Sequence, residues 1–143
     1  MPNASPLMQA ALLTQFGAPL SIVPVDLPAL RPGQVLVRVV ASGVNPLDTK
    51  IQAGNAAHAQ ASLPAILGID LAGVVHAVAP GETRFVVGDE VYGMTGGIGG
   101  VPGSLAQFAA VDTDLLAHKP QALDMRQAAA LPLIFITAWE GLV

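Results

Sequence analysis

Short runs of alternating apolar and polar positions, broken by proline and glycine, fill the first 118 residues. That period of two predicts β-strands. Residues 8–15 form the first run and end at Phe16-Gly17-Ala18-Pro19, a turn signal. Residues 20–27 form a second run, and 28–33, with two prolines and a glycine, read as a connection. Residues 34–44 give the strongest strand: Val35, Val37 and Val39 share one face, and Leu36, Arg38 and Val40 the other. Arg38 is the expected solvent-side residue. Further strands are predicted at 69–78, at 105–111 and at 115–118, and 86–91 read as a turn leading into a strand. A turn at Ala79-Pro80-Gly81-Glu82 places proline and glycine where a type II turn needs them.

Three segments depart from that pattern. Asn45 reads as the N-cap of a short helix opened by Pro46, running to Gln52 and stopped by Gly54. Residues 55–62 are alanine-rich and read as a mobile loop, and 96–103 as a flexible glycine-rich connection. Beyond Pro120 the period lengthens. Asp124 is a good N-cap, with Gln127 three residues on in a capping-box arrangement, and 125–131 read as helix. Pro132 interrupts it. Residues 133–143 are apolar nearly all round, with Thr137 and Glu140 the polar exceptions, so this helix is expected to be buried on several sides. The chain ends within it, which reads as a truncation.

Composition narrows the function classes. The chain is 52% hydrophobic and 11% charged, against about 25% charged for an ordinary soluble domain, so a core is easy to build. A net charge of -4, with six scattered Lys and Arg, argues against nucleic acid, which is bound by neutralising phosphates. There is no cysteine, which excludes a disulfide scaffold, a Cys nucleophile and any thiolate metal site. The start, Met1-Pro2-Asn3-Ala4-Ser5-Pro6, shows no signal peptide, and a cytoplasmic location is expected. The uncharged stretch 91–111 has the length of a membrane span, but its six glycines and a proline mark it as loop and strand.

Four segments in order resemble the medium-chain dehydrogenase/reductase superfamily. They are Ala41-Ser42-Gly43-Val44-Asn45-Pro46-Leu47-Asp48, then Leu63 through Val75 (against the pattern PGxDxAGxV), then Val87-Gly88-Asp89-Glu90-Val91 (against GDxV), then Gln127-Ala128-Ala129-Ala130-Leu131-Pro132 with Thr137-Ala138-Trp139. Within the superfamily the resemblance is to the zinc-free quinone oxidoreductase, or zeta-crystallin-like, type. It implies a mostly β chain with short helices: a GroES-like β-barrel over 1–123, then linker helices over 124–143 leading to an absent Rossmann domain. It also implies an NADPH-dependent enzyme, a homodimer at full length, acting on a small-molecule quinone or α,β-unsaturated carbonyl. Neither nucleic acid nor membrane is expected as a partner.

The resemblance also implies where chemistry sits. Zinc members carry a thiolate near Val44-Asn45 and a histidine just after the position of Gly68. Here those places hold Asn45 and Ile69. A hydrocarbon cannot ligate a cation, so no zinc is expected and Lewis-acid activation is unavailable. Asn45 is then a candidate for a hydrogen bond to the nicotinamide or the substrate carbonyl, besides capping its helix. Asp48 is a candidate orienting group in the cleft, or a first-turn carboxylate favoured by the helix dipole. Thr137 matches a linker-helix threonine that contacts the cofactor. Lys50, where relatives often have tyrosine, Tyr92 and Met94 are candidates for the substrate pocket, with core or wall packing the favoured reading for the last two. Asp70 is expected to tie down backbone at a turn.

Other features carry no chemistry. His58, His76 and His118 show no metal-ligand spacing. The loop Gly96-Gly97-Ile98-Gly99-Gly100 fails the dinucleotide fingerprint, because Pro102 stands where a third glycine is needed. Ser42 and Ser104 lack a nucleophile-elbow motif. The alternative function is a non-catalytic binding or structural member of the superfamily, or a stand-alone domain that assembles through its apolar tail.

Overall fold

The computed structural model describes residues 5–143; the start of the chain, read above for a signal peptide, lies largely outside the described residues. Eight strands form: β1 (Leu7–Leu13), β2 (Ser21–Asp26), β3 (Gln34–Gly43), β4 (Ala65–Ile66), β5 (Asp70–Val78), β6 (Glu90–Met94), β7 (Phe108–Asp112) and β8 (Ala117–His118). Three helices accompany them: α1 (Pro46–Gln52), α2 (Met125–Ala129) and α3 (Pro132–Leu142). The strands pair in two antiparallel sheets, ordered β2-β1-β4 and β7-β3-β5-β6-β8. Residues 105–107 stitch the sheets together: Ala11 N–H donates to Leu105 O (2.8 Å), Gln107 N–H to Gln9 O (3.0 Å) and Val39 N–H to Gln107 O (2.9 Å). The two sheets thereby wrap into the barrel-like body.

The β3 alternation holds only in part: Leu36, expected opposite Val35 and Val37, is buried with them, and the pairing with β5 shifts register between Leu36 and Val37. Val35 and Val37 are fully buried and Arg38 is exposed. They join Leu71, Val75, Phe85, Val91, Val111 and Leu116 in the main core between the faces of the larger sheet and its loops. Each such side chain contributes roughly 1.5–3 kcal/mol by leaving water. A second cluster, around Leu13, Ile51 and Leu67, seats α1 on the smaller sheet. A third is made of small residues, Ala72, Ala128 and Ala129, and lets α2 lie close on β3 and β5. Gly43 permits the same approach, since a Cβ there would run into the Ala129 carbonyl.

The structure corrects four expectations. Residues 55–62 are not a loose loop: Ala57–Ala59 form a 3-10 turn, and Ala56 and Ala59 pack into the second core. Alanine is small enough to fit there without displacing its neighbours. The glycine-rich segment is not a flexible connection either. Gly99 N–H donates to Ala59 O (2.7 Å), Gly97 N–H to Val101 O (2.9 Å), and Gly103 lies too close to the Leu67 carbonyl for any side chain. Gly96, Gly97 and Gly103 allow close backbone packing, while Gly99 and Gly100 supply positive φ. Pro132 does not merely break a helix. It opens α3 at the first position, where its missing N–H costs nothing. Finally, α3 is not buried on several sides. It rests on β6, while Ile134, Phe135 and Trp139 remain 61%, 62% and 58% exposed. By contrast, the capping box at α2 forms as expected: Gln127 N–H donates to Asp124 Oδ1 (2.8 Å) and Asp124 N–H to Gln127 Oε1 (3.0 Å).

Candidate functional site

Where β3 ends, Asn45 turns the chain into α1. Its backbone is extended (φ -115°, ψ 157°), as an N-cap requires, and Pro46 supplies the first helical residue. One turn on, Asp48 folds back so that its Oδ2 accepts the Asn45 N–H at 2.8 Å. The Asn45 amide reaches the other way, its Nδ2 donating to Asp70 Oδ2 at 3.1 Å. Asn45 thus stands between two carboxylates, on α1 and at the start of β5.

Asp70 is fully buried and bridges further. Both its oxygens accept the Leu133 N–H, each at 3.2 Å, at the N-terminus of α3. Its backbone carbonyl accepts the Ser104 hydroxyl at 2.8 Å, and Ser104 Oγ lies 2.6 Å from Ser42 Oγ. The corner therefore ties together β3, α1, β5, the segment before β7, and α3. Desolvation holds both carboxyls above the usual carboxylate range. For Asp48 the opposing influences are the nearby Asn45, Gly68 and Ile69 amides; for Asp70 they are Asn45 and the Leu133 amide, while the charge of Asp48 pushes it up further.

One atom at this corner is left over. Asp48 Oδ1 is buried and has no hydrogen-bond partner among the described residues. Asp48 also lines a small pocket of about 150 Å³ with Leu20, Val44, Thr49, Gln52 and Leu67. A buried acceptor without a donor is costly, of the order of 1–3 kcal/mol, unless something fills the role. The Gly68 and Ile69 amides are the further backbone donors near this carboxyl.

The other sequence candidates lie elsewhere. Tyr92 and Met94 share a face of β6 and line a separate, mainly apolar cleft of about 470 Å³, closed on the far side by Phe135 and Ile136 of α3. Lys50 is exposed on α1 and lines neither cavity. Thr137 is exposed on α3. Ile69, next to Asp70, is 1% exposed and offers no ligand atom. Among the described residues no three His, Cys, Asp or Glu side chains gather as a metal-binding group. The roles of Ser42, Ser104 and Leu133 in the corner carry no local sequence signal, since their partners are distant along the chain.

Comparison with known proteins agrees with this architecture. Residues 31–121 match the family described as the alcohol dehydrogenase GroES-like domain. Among curated proteins, the chain is 42% identical over 120 residues to an NADPH-dependent alkenal/one oxidoreductase, chloroplastic, of Arabidopsis thaliana, covering 81% of this chain and 31% of that one. It is 35% identical to the quinone oxidoreductase of Rattus norvegicus, over 99% of this chain and 43% of the other. Among solved structures, an alcohol dehydrogenase superfamily protein from Novosphingobium aromaticivorans superposes with a TM-score of 0.93 at 60% identity, over 95% of this chain and 41% of its own. The quinone oxidoreductase from Coxiella burnetii does so with a TM-score of 0.88 at 31% identity, over 96% and 44%. The chain thus spans between about a third and a half of the length of these relatives. The match over residues 31–121, most of the strands, makes this chain a member of the alcohol dehydrogenase GroES-like domain family.

Proposed function

We propose that the chain is the N-terminal part of an NADPH-dependent oxidoreductase that reduces quinones or α,β-unsaturated carbonyls by zinc-free hydride transfer. The observation that carries the reading is the corner itself: Asn45 and Ile69 are buried beside Asp48, whose Oδ1 is buried without a partner among the described residues, and the resemblance implies zinc ligands at those two positions in zinc members. An amide and a hydrocarbon are poor partners for a zinc ion, and the chain has no thiolate to offer. The names of the relatives point the same way on substrate and on cofactor.

In this reading the chain meets one end of a nicotinamide cofactor. Asp48 Oδ1 matches a carboxamide or hydroxyl donor, and Thr137 offers a hydroxyl from α3. They do not supply a phosphate cradle, because the glycine-rich segment spends its backbone on the barrel. When bound, the cofactor supplies the hydride. Asn45, 4% exposed and committed to Asp70, acts in this reading by holding Asp48 rather than by reaching the ligand. The apolar wall with Tyr92 and Met94 would exclude water from an unsaturated substrate. A homodimer at full length and a cytoplasmic location go with the reading; no helix among the described residues is long and apolar enough to cross a membrane.

The test compares two proteins. The longer gene product should consume NADPH when given a small enone or a quinone, and the 143-residue chain should not. Turnover by the short chain alone would overturn the division of labour, and inactivity of the longer product with both substrate classes would favour a non-catalytic role.

A further inference from the structure

The polar corner and the exit of α3 share one side chain. Asp70 accepts from Asn45 Nδ2 on one side and from the Leu133 N–H on the other, across sequence separations of 25 and 63 residues. Little else polar fastens α3. Its other contacts to the body are apolar, made through the buried Pro132 and the wall shared with Tyr92, and most of its outer surface is exposed. Asp70 is moreover held rigidly, because its carbonyl is pinned by Ser104 and its carboxyl is fully buried. A helix N-terminus presents free N–H groups to whatever anion stands before it. Here the first residue is proline, so Leu133 supplies the first available N–H, and Asp70 takes it.

We propose that Asp70 is a positioning residue that couples the Asn45–Asp48 corner to the seat of α3, so that the direction in which α3 leaves the body is set by the same carboxylate that orients Asn45. Whatever follows α3 in a longer protein is then aimed at the corner by Asp70. That consequence rests on the proposed function. The coupling itself does not, and it is tested on the 143-residue chain alone, so the two can fail separately.

Amide hydrogen exchange by NMR reads the coupling residue by residue. Asp70→Asn removes the charge and leaves a single acceptor oxygen, which the Leu133 N–H and the Asn45 amide must then share. Exchange at Leu133 and the first turn of α3 should accelerate by about tenfold or more, as loss of a charge-assisted hydrogen bond implies. The amides of Val37 and Val75, in the core of β3 and β5, should keep their rates. Asn45→Ala is the sharper variant: Asn45 makes no hydrogen bond to α3, yet its loss should shift the Leu133 amide resonance through Asp70. Parallel acceleration of core and α3 amides in Asp70→Asn, or a Leu133 amide indifferent to Asn45→Ala, overturns the proposal.

Should Asp70→Asn fail to fold, titration of the unaltered chain decides. The Leu133 amide proton and the Asn45 side-chain amide protons should move with one common midpoint, that of Asp70. Separate midpoints, or a still Leu133 signal, would count against the coupling. Asp48 on α1 is the titrating neighbour whose charge reaches Asp70. The other ionisable groups on these elements are Arg38 on β3, Lys50 on α1, His76 on β5 itself, Glu90 and Tyr92 on β6, Arg126 on α2 and Glu140 on α3, and their own signals distinguish them.

Discussion

Ser104 Oγ occupies the space that a Cβ on Gly68 would need. Gly68 sits at φ 103°, in a region that side chains rarely adopt, and Ser104 N–H donates to its carbonyl at 3.0 Å. The pair closes the turn that leads into Ile69 and Asp70. Gly68→Ala should therefore destabilise on two counts, backbone strain and collision with Ser104. Strain alone is worth about 1–3 kcal/mol. A lowered urea midpoint without a changed slope is the expected result; an unchanged midpoint would mean that the turn relaxes freely.

Asp48 gives the chain a pH signature. Burial raises its folded-state pKa above the usual value of about 4, so the folded form holds the proton more tightly than the unfolded form. Its contribution is fully present below the unfolded pKa and is lost as pH rises through the folded pKa. Asp48→Asn removes that dependence while an amide oxygen can still accept the Asn45 N–H. Urea titrations from acid to neutral pH should show a shallower loss of stability in the variant than in the parent. An identical slope in both would show that Asp48 titrates alike in the folded and unfolded chain.

Leu71 is fully buried at the centre of the main core, on a strand paired on both sides. Leu71→Ala should cost about 2–5 kcal/mol, the range for a leucine truncated where the surroundings cannot collapse. Chemical denaturation measures it directly.

Trp139 is the single tryptophan, 58% exposed on α3 and stacked on Phe135 at 6.1 Å between ring centres. Its fluorescence in the 143-residue chain should be water-like and readily quenched by iodide. In the longer gene product the proposed function predicts a shielded tryptophan, because a following domain would cover α3. Equal quenching in both proteins would remove that expectation.

Thr137, on the same helix, is a candidate cofactor contact. In the longer gene product Thr137→Val should raise the KM for NADPH by about fivefold, the worth of roughly one neutral hydrogen bond, and leave kcat nearly unchanged. A loss confined to kcat would point to a different role.

The alternation at Val35, Val37 and Arg38, the Pro46 helix start and the Asp124–Gln127 box were all readable along the chain, because each depends on neighbours a few positions away. The packing of Ala56 and Ala59, the tight seat of the glycine-rich segment and the exposure of α3 were not. Composition makes these segments look loose or sticky, and only their surroundings decide which they are.

Asp70 marks the division. Its place at the head of a strand and its lack of a local partner are properties of the sequence. That it would meet Leu133, and that Asp48 would be left with one oxygen unmatched, depended on where β5, α1 and α3 come together. Periodicity and capping act within a few residues and survive translation into one dimension. Hydrogen bonds across 25 and 63 positions, and the desolvation that raises both carboxyls, exist only once the chain has folded around them.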